Sequence, residues 1–304
     1  MREEVKKIFR DKRMPKYLNK THIALIPKVQ GPESFSNYRP ISLCNSMYKI
    51  VTKIIVGRLR PHLNQVISPF QTAFVPDRKG IDNAIIVQEL IHTISKAKGK
   101  EGYMAIKVDL EKAYDKLEWS FIGEMLFRVN LPSNLIQLIM SCVTSVSTSI
   151  LFHGGVLDSF HPSRGIKQGD PLSPYLFIMC MDFLGQLTEE KCSGKFWNSV
   201  KASRNGLAFS HSCLQMMWSY LLKLTLKITV QLERCWKPSI EHLVNRLAKL
   251  KQGCFSPQMW IKIPKNLSVT FLAFNQLLTW GSIWAFPSNT EGVPIKISIL
   301  FWTE

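Results

Sequence analysis

Aspartate disappears from this chain after position 182: eight lie in the first 182 residues and none occurs in the remaining 122. The C-terminal third therefore offers no aspartate for metal binding or general acid and base work. Cysteine is equally uninformative as a framework. The seven cysteines (44, 142, 180, 192, 213, 235 and 254) are odd in number and far apart, without a CxxC pair or a matching histidine spacing. Neither a zinc site nor a disulfide scaffold is indicated. Long hydrophobic runs are missing as well. The two uncharged windows, Val129–Leu157 and Asn266–Thr290, are broken by Pro, Asn, Gln, Ser and Thr, so neither reads as a membrane span. The N-terminus, MREEVKKIFRDKR, is too charged for a secretory signal, and a reducing intracellular compartment is the expectation, nuclear or cytoplasmic being open.

What is present is positive charge. The 304 residues carry 39 Lys and Arg against 22 Asp and Glu, a formal charge of +17, with 46% apolar residues, enough for a buried core. Such a balance favours an anionic partner, nucleic acid before an acidic membrane surface.

Periodicity predicts a mixture of elements. Thr21–Lys28 suits a short strand, and QGPESFSNYRPIS after it is turn-rich. Over Asn45–Ile67 apolar residues recur at helical spacing, with Lys49, Lys53, Arg58 and Arg60 making a basic face. A helix over Ile81–Lys98 stops at Gly99, and Tyr103–Leu110 reads as a buried strand. Helices follow over Glu118–Val129 and Pro132–Val146, then a hairpin around His153-Gly154-Gly155 and an apolar helix over Pro171–Leu187. This order predicts an α+β domain. Beyond Ser210 the grammar degrades. Helical periodicity can be traced through Trp218–Leu250, and six of the eight tryptophans fall in this last stretch.

Four stretches carry chemistry. Val108-Asp-Leu-Glu-Lys-Ala-Tyr-Asp115 ends a strand on Asp109, where a carboxylate can meet a hard cation such as Mg²⁺ beside a phosphate; alone, Asp109 reads equally as the cap of the next helix. Arg164-Gly-Ile-Lys-Gln-Gly-Asp-Pro-Leu-Ser-Pro174 has glycines for close backbone approach, Gln168 as donor and acceptor, and prolines that launch a helix. Asn37-Tyr-Arg-Pro-Ile-Ser-Leu43 and Phe74-Val-Pro-Asp-Arg-Lys-Gly-Ile-Asp-Asn83 place arginines on loops beside helices.

Together, in this order, the four stretches resemble the reverse transcriptase domain of LINE-type non-LTR retrotransposons, particularly plant ones, over residues 18–210. The resemblance implies a right-hand polymerase, fingers and partial palm, acting as an RNA-directed DNA polymerase on an RNA template, a DNA primer and dNTPs. It implies Asp109 as catalytic metal ligand and Tyr114 as the gate under the sugar. Arg39, Lys49 and Arg78 would lie near the incoming triphosphate and template, and Gln168 and Gly169 would border the nucleotide and template base. Asp170 is assigned no metal. No membrane partner is implied, and neither is an oligomeric state.

The same resemblance exposes a gap. Such enzymes use two metal ions about 4 Å apart, which one aspartate cannot hold. The family supplies the rest from a hairpin reading Phe-Ala-Asp-Asp or Tyr-Ala-Asp-Asp. Here Cys213-Leu-Gln-Met-Met-Trp218 stands in its place. Written TGT TTG CAG ATG ATG TGG and read two nucleotides later, these codons give Phe-Ala-Asp-Asp-Val. Thr279–Ser288, suitably codon-chosen, gives Leu-Gly-Lys-Tyr-Leu-Gly-Ile-Pro, a phrase similar to one further downstream in the family. The expectation is a frameshift near His211, residues 211–304 being an irregular out-of-frame tail, the palm lacking its central hairpin and no thumb or endonuclease represented. Three outcomes follow: an inactive polymerase fragment, a nucleic-acid-binding remnant, or a poorly folded product of a decayed element.

Overall fold

The structure is a computed structural model. It describes residues 1–96, 102–110, 112–152, 154–194, 199–201, 206, 208–214, 217–224, 280–285 and 295–302; for 94–96, 102–110 and everything from 212 onward the description is of the backbone alone. The chain divides into two compact units. The first comprises Met1–Val66 with Tyr114–Cys180, the second Ile67–Ala113 with Met181–Glu304. This division cuts across the boundary expected at 210.

The first unit opens with helix α1 (Arg2–Asp11), whose Ile8 is buried. Strand β1 (Lys20–Pro27) pairs antiparallel with β2 (Tyr38–Cys44) and parallel with β4 (Ser147–Phe152), which meets β5 (Gly155–Val156), giving the order β2-β1-β4-β5. β2 lies within the stretch expected to be turns, and Pro40 is the reason it was hidden. The strand is at the sheet edge, and the Ser42 amide points away from β1, to the Gln168 carbonyl at 2.7 Å. With a period of two, the missing amide of Pro40 faces the same way, so no ladder bond is lost.

Helix α2 (Ser46–Leu59) begins at Asn45, whose Oδ1 accepts from the Met47 amide at 2.8 Å. Sequence periodicity carried this helix to Ile67. It ends sooner, in a 3₁₀ turn at Arg60–His62 and the single turn α3 (Leu63–Val66). Pro61 has no N–H for the helical ladder and breaks it there. The buried face of α2 (Tyr48, Val51, Thr52, Ile55 and Leu59) follows the i, i+3, i+4 spacing.

The second unit contains α4 (Gly80–Lys96) and strand β3 (Gly102–Leu110), as expected apart from one or two terminal residues. Returning to the first unit, α5 (Ala113–Lys116), α6 (Trp119–Arg128) and α7 (Ser133–Thr144) follow. α6 and α7 pack together through Phe121, Ile122, Leu138 and Ile139, all at most 2% exposed. Helix α8 (Ser173–Ser193) runs from the first unit into the second, and the short strands β6 (Val200–Lys201) and β7 (Ala208–Phe209) pair after it.

The region expected to be irregular contains strands. β8 (His211–Leu214) and β9 (Met217–Leu224) form an antiparallel pair, and β10 (Trp280–Ala285) pairs with β11 (Ile295–Trp302). All four join β3 in a sheet of order β10-β11-β3-β9-β8. The helix expected from Trp218 is corrected to strand as far as Leu224. Uninterrupted apolar residues such as Leu221-Leu222 serve either period, and pairing with β3 decides for the strand. The rest of the expected helix, to Leu250, lies outside the described residues, as do Gly99 and His153.

Two polar features organise the second unit. Arg78 donates from Nη1 to the carbonyls of Ser68 (2.6 Å) and Gln71 (2.7 Å) and from Nη2 to that of Ile67 (3.1 Å). Buried Asp182 accepts from the Ser68 amide at 3.0 Å and from Gln186 Nε2 at 3.0 Å. His211 is 1% exposed, its ring 4.7 Å from that of Phe70 and its Nδ1 3.0 Å from Ser210 Oγ.

Burial pushes the His211 imidazole from its ordinary 6.5 down to about 4. The unfolded chain therefore binds the extra proton between these values, and stability is lost as pH falls from 6.5 towards 4, by up to about 3 kcal/mol. Urea denaturation across that range should show this loss, and His211→Phe should flatten it. Retention of the full slope in the variant would refute the assignment.

Candidate functional site

In the first unit the loop before α8 is tied at three points. The Gly165 amide donates to Leu117 O at 2.7 Å and the Ile166 amide to Tyr114 O at 2.8 Å, which anchors the loop to the turn containing α5. Ser42 of β2 donates to Gln168 O. Both glycines of the motif are required by geometry. Gly165 has φ +87, and a Cβ there would lie 2.7 Å from Asp115 O; Gly169 has φ +101, and its Cβ would lie 3.3 Å from Ser42 O.

Tyr114 is half-buried, its ring stacked on Phe177 at 4.8 Å with planes 9° apart, and burial raises its phenol pKa. Gln168 Nε2 reaches Asp115 Oδ1 at 3.5 Å. A cleft of about 270 Å³ opens beside this loop, walled by Ile23, Ser42 and Thr148 of the sheet and by Val143, Val146 and Phe160, with Asp115 and Gln168 also lining it.

Beneath the loop lies a polar cluster that sequence reasoning did not find. Asn19 is fully buried and donates from Nδ2 to Cys142 O and to Ser145 Oγ, both at 2.8 Å. Its Oδ1 accepts from Lys167 Nζ, which sits 3.6 Å over the Tyr48 ring. Tyr48 in turn donates to Asp170 Oδ2 at 3.0 Å, and the Leu172 amide donates to Asp170 Oδ1 at 3.3 Å. Burial lowers the Lys167 pKa and raises that of Asp170, and their mutual attraction only partly opposes the two shifts. Asp170 is therefore occupied inside the fold. The one available signal was that Lys167 and Asp170 sit inside the glycine motif; Asn19 and Tyr48 carried none.

The structure thus brings Tyr114, Gln168 and Gly169 together. Arg39 is exposed on β2, three residues before Ser42, and Lys49 is half-buried on α2, next to Tyr48. Arg78 and Asp109 belong to the second unit. Arg78 spends its guanidinium on main-chain carbonyls of the 67–71 turn, a different use from contact with a triphosphate. Asp109 lies on β3, paired with Met217 of β9 and Lys296 of β11.

The reverse transcriptase (RNA-dependent DNA polymerase) family profile matches residues 26–229. The chain belongs to this family. Its catalogue of relatives points to mobile elements: the chain is 29% identical, over 65% of its length, to 18% of the "Retrovirus-related Pol polyprotein from type-2 retrotransposable element R2DM" of Drosophila melanogaster. A Pol polyprotein from a type-1 R2 retrotransposable element of Nasonia vitripennis is 30% identical over 55% of this chain and 16% of its own length. An uncharacterised mitochondrial protein of Arabidopsis thaliana is 42% identical over 16% of this chain and 41% of its own length. The chain spans about a fifth or less of the retrotransposon Pol proteins quoted. The family match continues past Ser210, the limit expected from the motifs, through the β8–β9 pair.

Magnesium is the metal that the family implies. Asp109 alone does not fit a paired site: β8 and β9 carry no acidic residue, and the partner opposite Asp109 on β11 is a lysine. Among the described residues no group of three His, Cys, Asp or Glu is placed to hold a metal ion. Residues Gln215 and Met216, which connect β8 to β9, lie outside the described residues. Among the described residues, too, no helix is long and apolar enough to cross a membrane.

Two substitutions probe the loop. Gly165→Ala combines a left-handed φ with a backbone clash and should cost about 3 kcal/mol, whereas Gly31→Ala, at φ +66 with nothing within 4 Å, should cost about 1 kcal/mol. Asn19→Ala removes three hydrogen bonds from the buried cluster and should cost about 2–4 kcal/mol. Urea midpoints measure all three, and an Asn19→Ala loss no larger than that of Gly31→Ala would contradict the cluster's role.

Proposed function

We propose that this chain is a fingers and partial-palm fragment of a plant-like, LINE-type reverse transcriptase that has lost nucleotide addition and kept nucleic-acid binding. The observation that carries this reading is the register of β3. Asp109 is paired on either side with Met217 and Lys296, and the β8–β9 hairpin has no carboxylate to share a second metal. Metal-held charge is worth several kcal/mol in such a transition state. At about 1.4 kcal/mol per factor of ten, its loss lowers the rate by roughly a thousandfold or more.

The remaining residues keep binding roles. Gln168 and Gly169, backed by Ser42, border the template base and nucleotide; Tyr114, stacked on Phe177, packs under the sugar; Arg39 and Lys49 face template and triphosphate. Arg78 is reassigned to holding the 67–71 turn. RNA template, DNA primer and dNTP are the partners of this reading, and no chemical step is drawn through magnesium.

A frameshift near His211 accounts for the missing carboxylates, the loss of aspartate and the surplus of tryptophan together. The coding DNA around codons 205–220 should spell Ala-Asp-Asp in the neighbouring frame; any other reading there removes the explanation. For activity, the full chain is incubated with a primed RNA template, dNTPs and Mg²⁺. No incorporation above background is expected. Incorporation that disappears in Asp109→Ala would overturn the inactive reading.

A further inference from the structure

Between Glu33 and Asp77 the chain has no acidic residue, yet it carries Arg39, Lys49, Lys53, Arg58 and Arg60. Four of these five cations lie on α2 or in the turn directly after it. Lys53 and Arg60 are exposed and seven residues apart, about 10 Å along the helix, on one side of it. Between them at i+4 from Lys53 is exposed Gly57, where an added Cβ would meet nothing within 4 Å. The helix backbone is therefore bare at the centre of the cationic row. One turn before Lys53 the same row begins at Lys49, the residue assigned above to template and triphosphate. Arg58 stands beside it, exposed, its guanidinium 4.8 Å over the ring of Phe9 on α1. That stacking restrains a long side chain without neutralising it.

We propose that this outer row of α2, Lys53, Gly57 and Arg60 with Arg58, is a track for a nucleic-acid phosphodiester backbone leading away from Lys49. It rests on the nucleic-acid-binding reading above and adds where that binding resides. The chemistry required is positive charge at regular spacing, on a stretch of chain without acidic residues, and a surface a polyanion can approach closely. Gly57 supplies the approach, because any side chain there would stand between phosphate and helix. Contacts of this kind carry no base specificity and respond steeply to salt.

The test measures binding of the full chain to a fluorescent primed RNA template across a salt series. The triple variant Lys53→Gln, Arg58→Gln, Arg60→Gln should bind about tenfold more weakly near physiological salt and lose roughly 2–3 units of the salt slope, three phosphate contacts at 0.7–0.9 each. Gly57→Glu is the second arm. It places a carboxylate into open space and replaces glycine by a better helix former, so the thermal midpoint should hold or rise while binding weakens. Gln168→Ala should leave the slope unchanged. Wild-type affinity and slope in both α2 variants would overturn the track alone. Absence of salt-dependent binding by the wild-type chain would overturn the track and the binding reading together. Equal binding to phosphatidylserine vesicles and to the RNA template would also overturn it, as that would mark a membrane-type anion surface.

Discussion

The first unit is organised around one buried side chain, Asn19, which holds three groups at once. Its amide satisfies the Cys142 carbonyl and Ser145 Oγ at the end of α7, and its carbonyl receives Lys167 from the loop before α8. Segments distant in sequence are thereby fixed to the root of β1. Lys167 is desolvated in the process, and the Tyr48 ring beneath it, with Asp170 near, offsets part of that cost. What the loop offers outward, Gln168 and Gly169 included, is held by this inward anchoring together with main-chain bonds from Gly165, Ile166 and Ser42 and side-chain bonds that link Trp119 to Gly165 O and Gln168 to Asp115.

A loop so fixed is suited to holding a ligand, and holding differs from reacting. Nucleotide transfer needs converging negative charge for paired metals, and the central sheet of the second unit places Asp109 among Met217 and Lys296. On the function proposed above, the chain combines a binding scaffold with a depleted reaction centre. Its positive charge acts independently of that loss, since attraction to phosphates requires lysines and arginines on a surface and no catalytic geometry. The α2 row illustrates this separation: it lies in the first unit and draws nothing from β3.

Much of the fold was legible. β1, β3, α4, α6, α7 and α8 lie within a few residues of where periodicity puts them, α6 and α7 because each buries an apolar face at helical spacing. β2 was hidden by Pro40, whose cost vanishes on an outward-facing edge. α2 was read too long, because apolar spacing continues through Pro61 while the hydrogen-bond ladder does not. The run from Trp218 was read as helix, where pairing with β3 makes it strand. In the site, Tyr114, Gln168 and Gly169 were legible as motif residues, whereas Asn19 and Tyr48 were not, their partners being more than 90 residues away.

By itself, the sequence determined the family, the positive charge, the order of most elements and the shortage of carboxylates after residue 182. These follow from residue identity and local spacing, which need no knowledge of distant partners. Tertiary structure alone decided that Arg78 braces a turn, that Asp170 is buried against the Tyr48 hydroxyl, and that the described strands after Ser210 extend the β3 sheet. Each of these depends on which groups folding brings within hydrogen-bonding distance, and a linear pattern of side chains does not specify that.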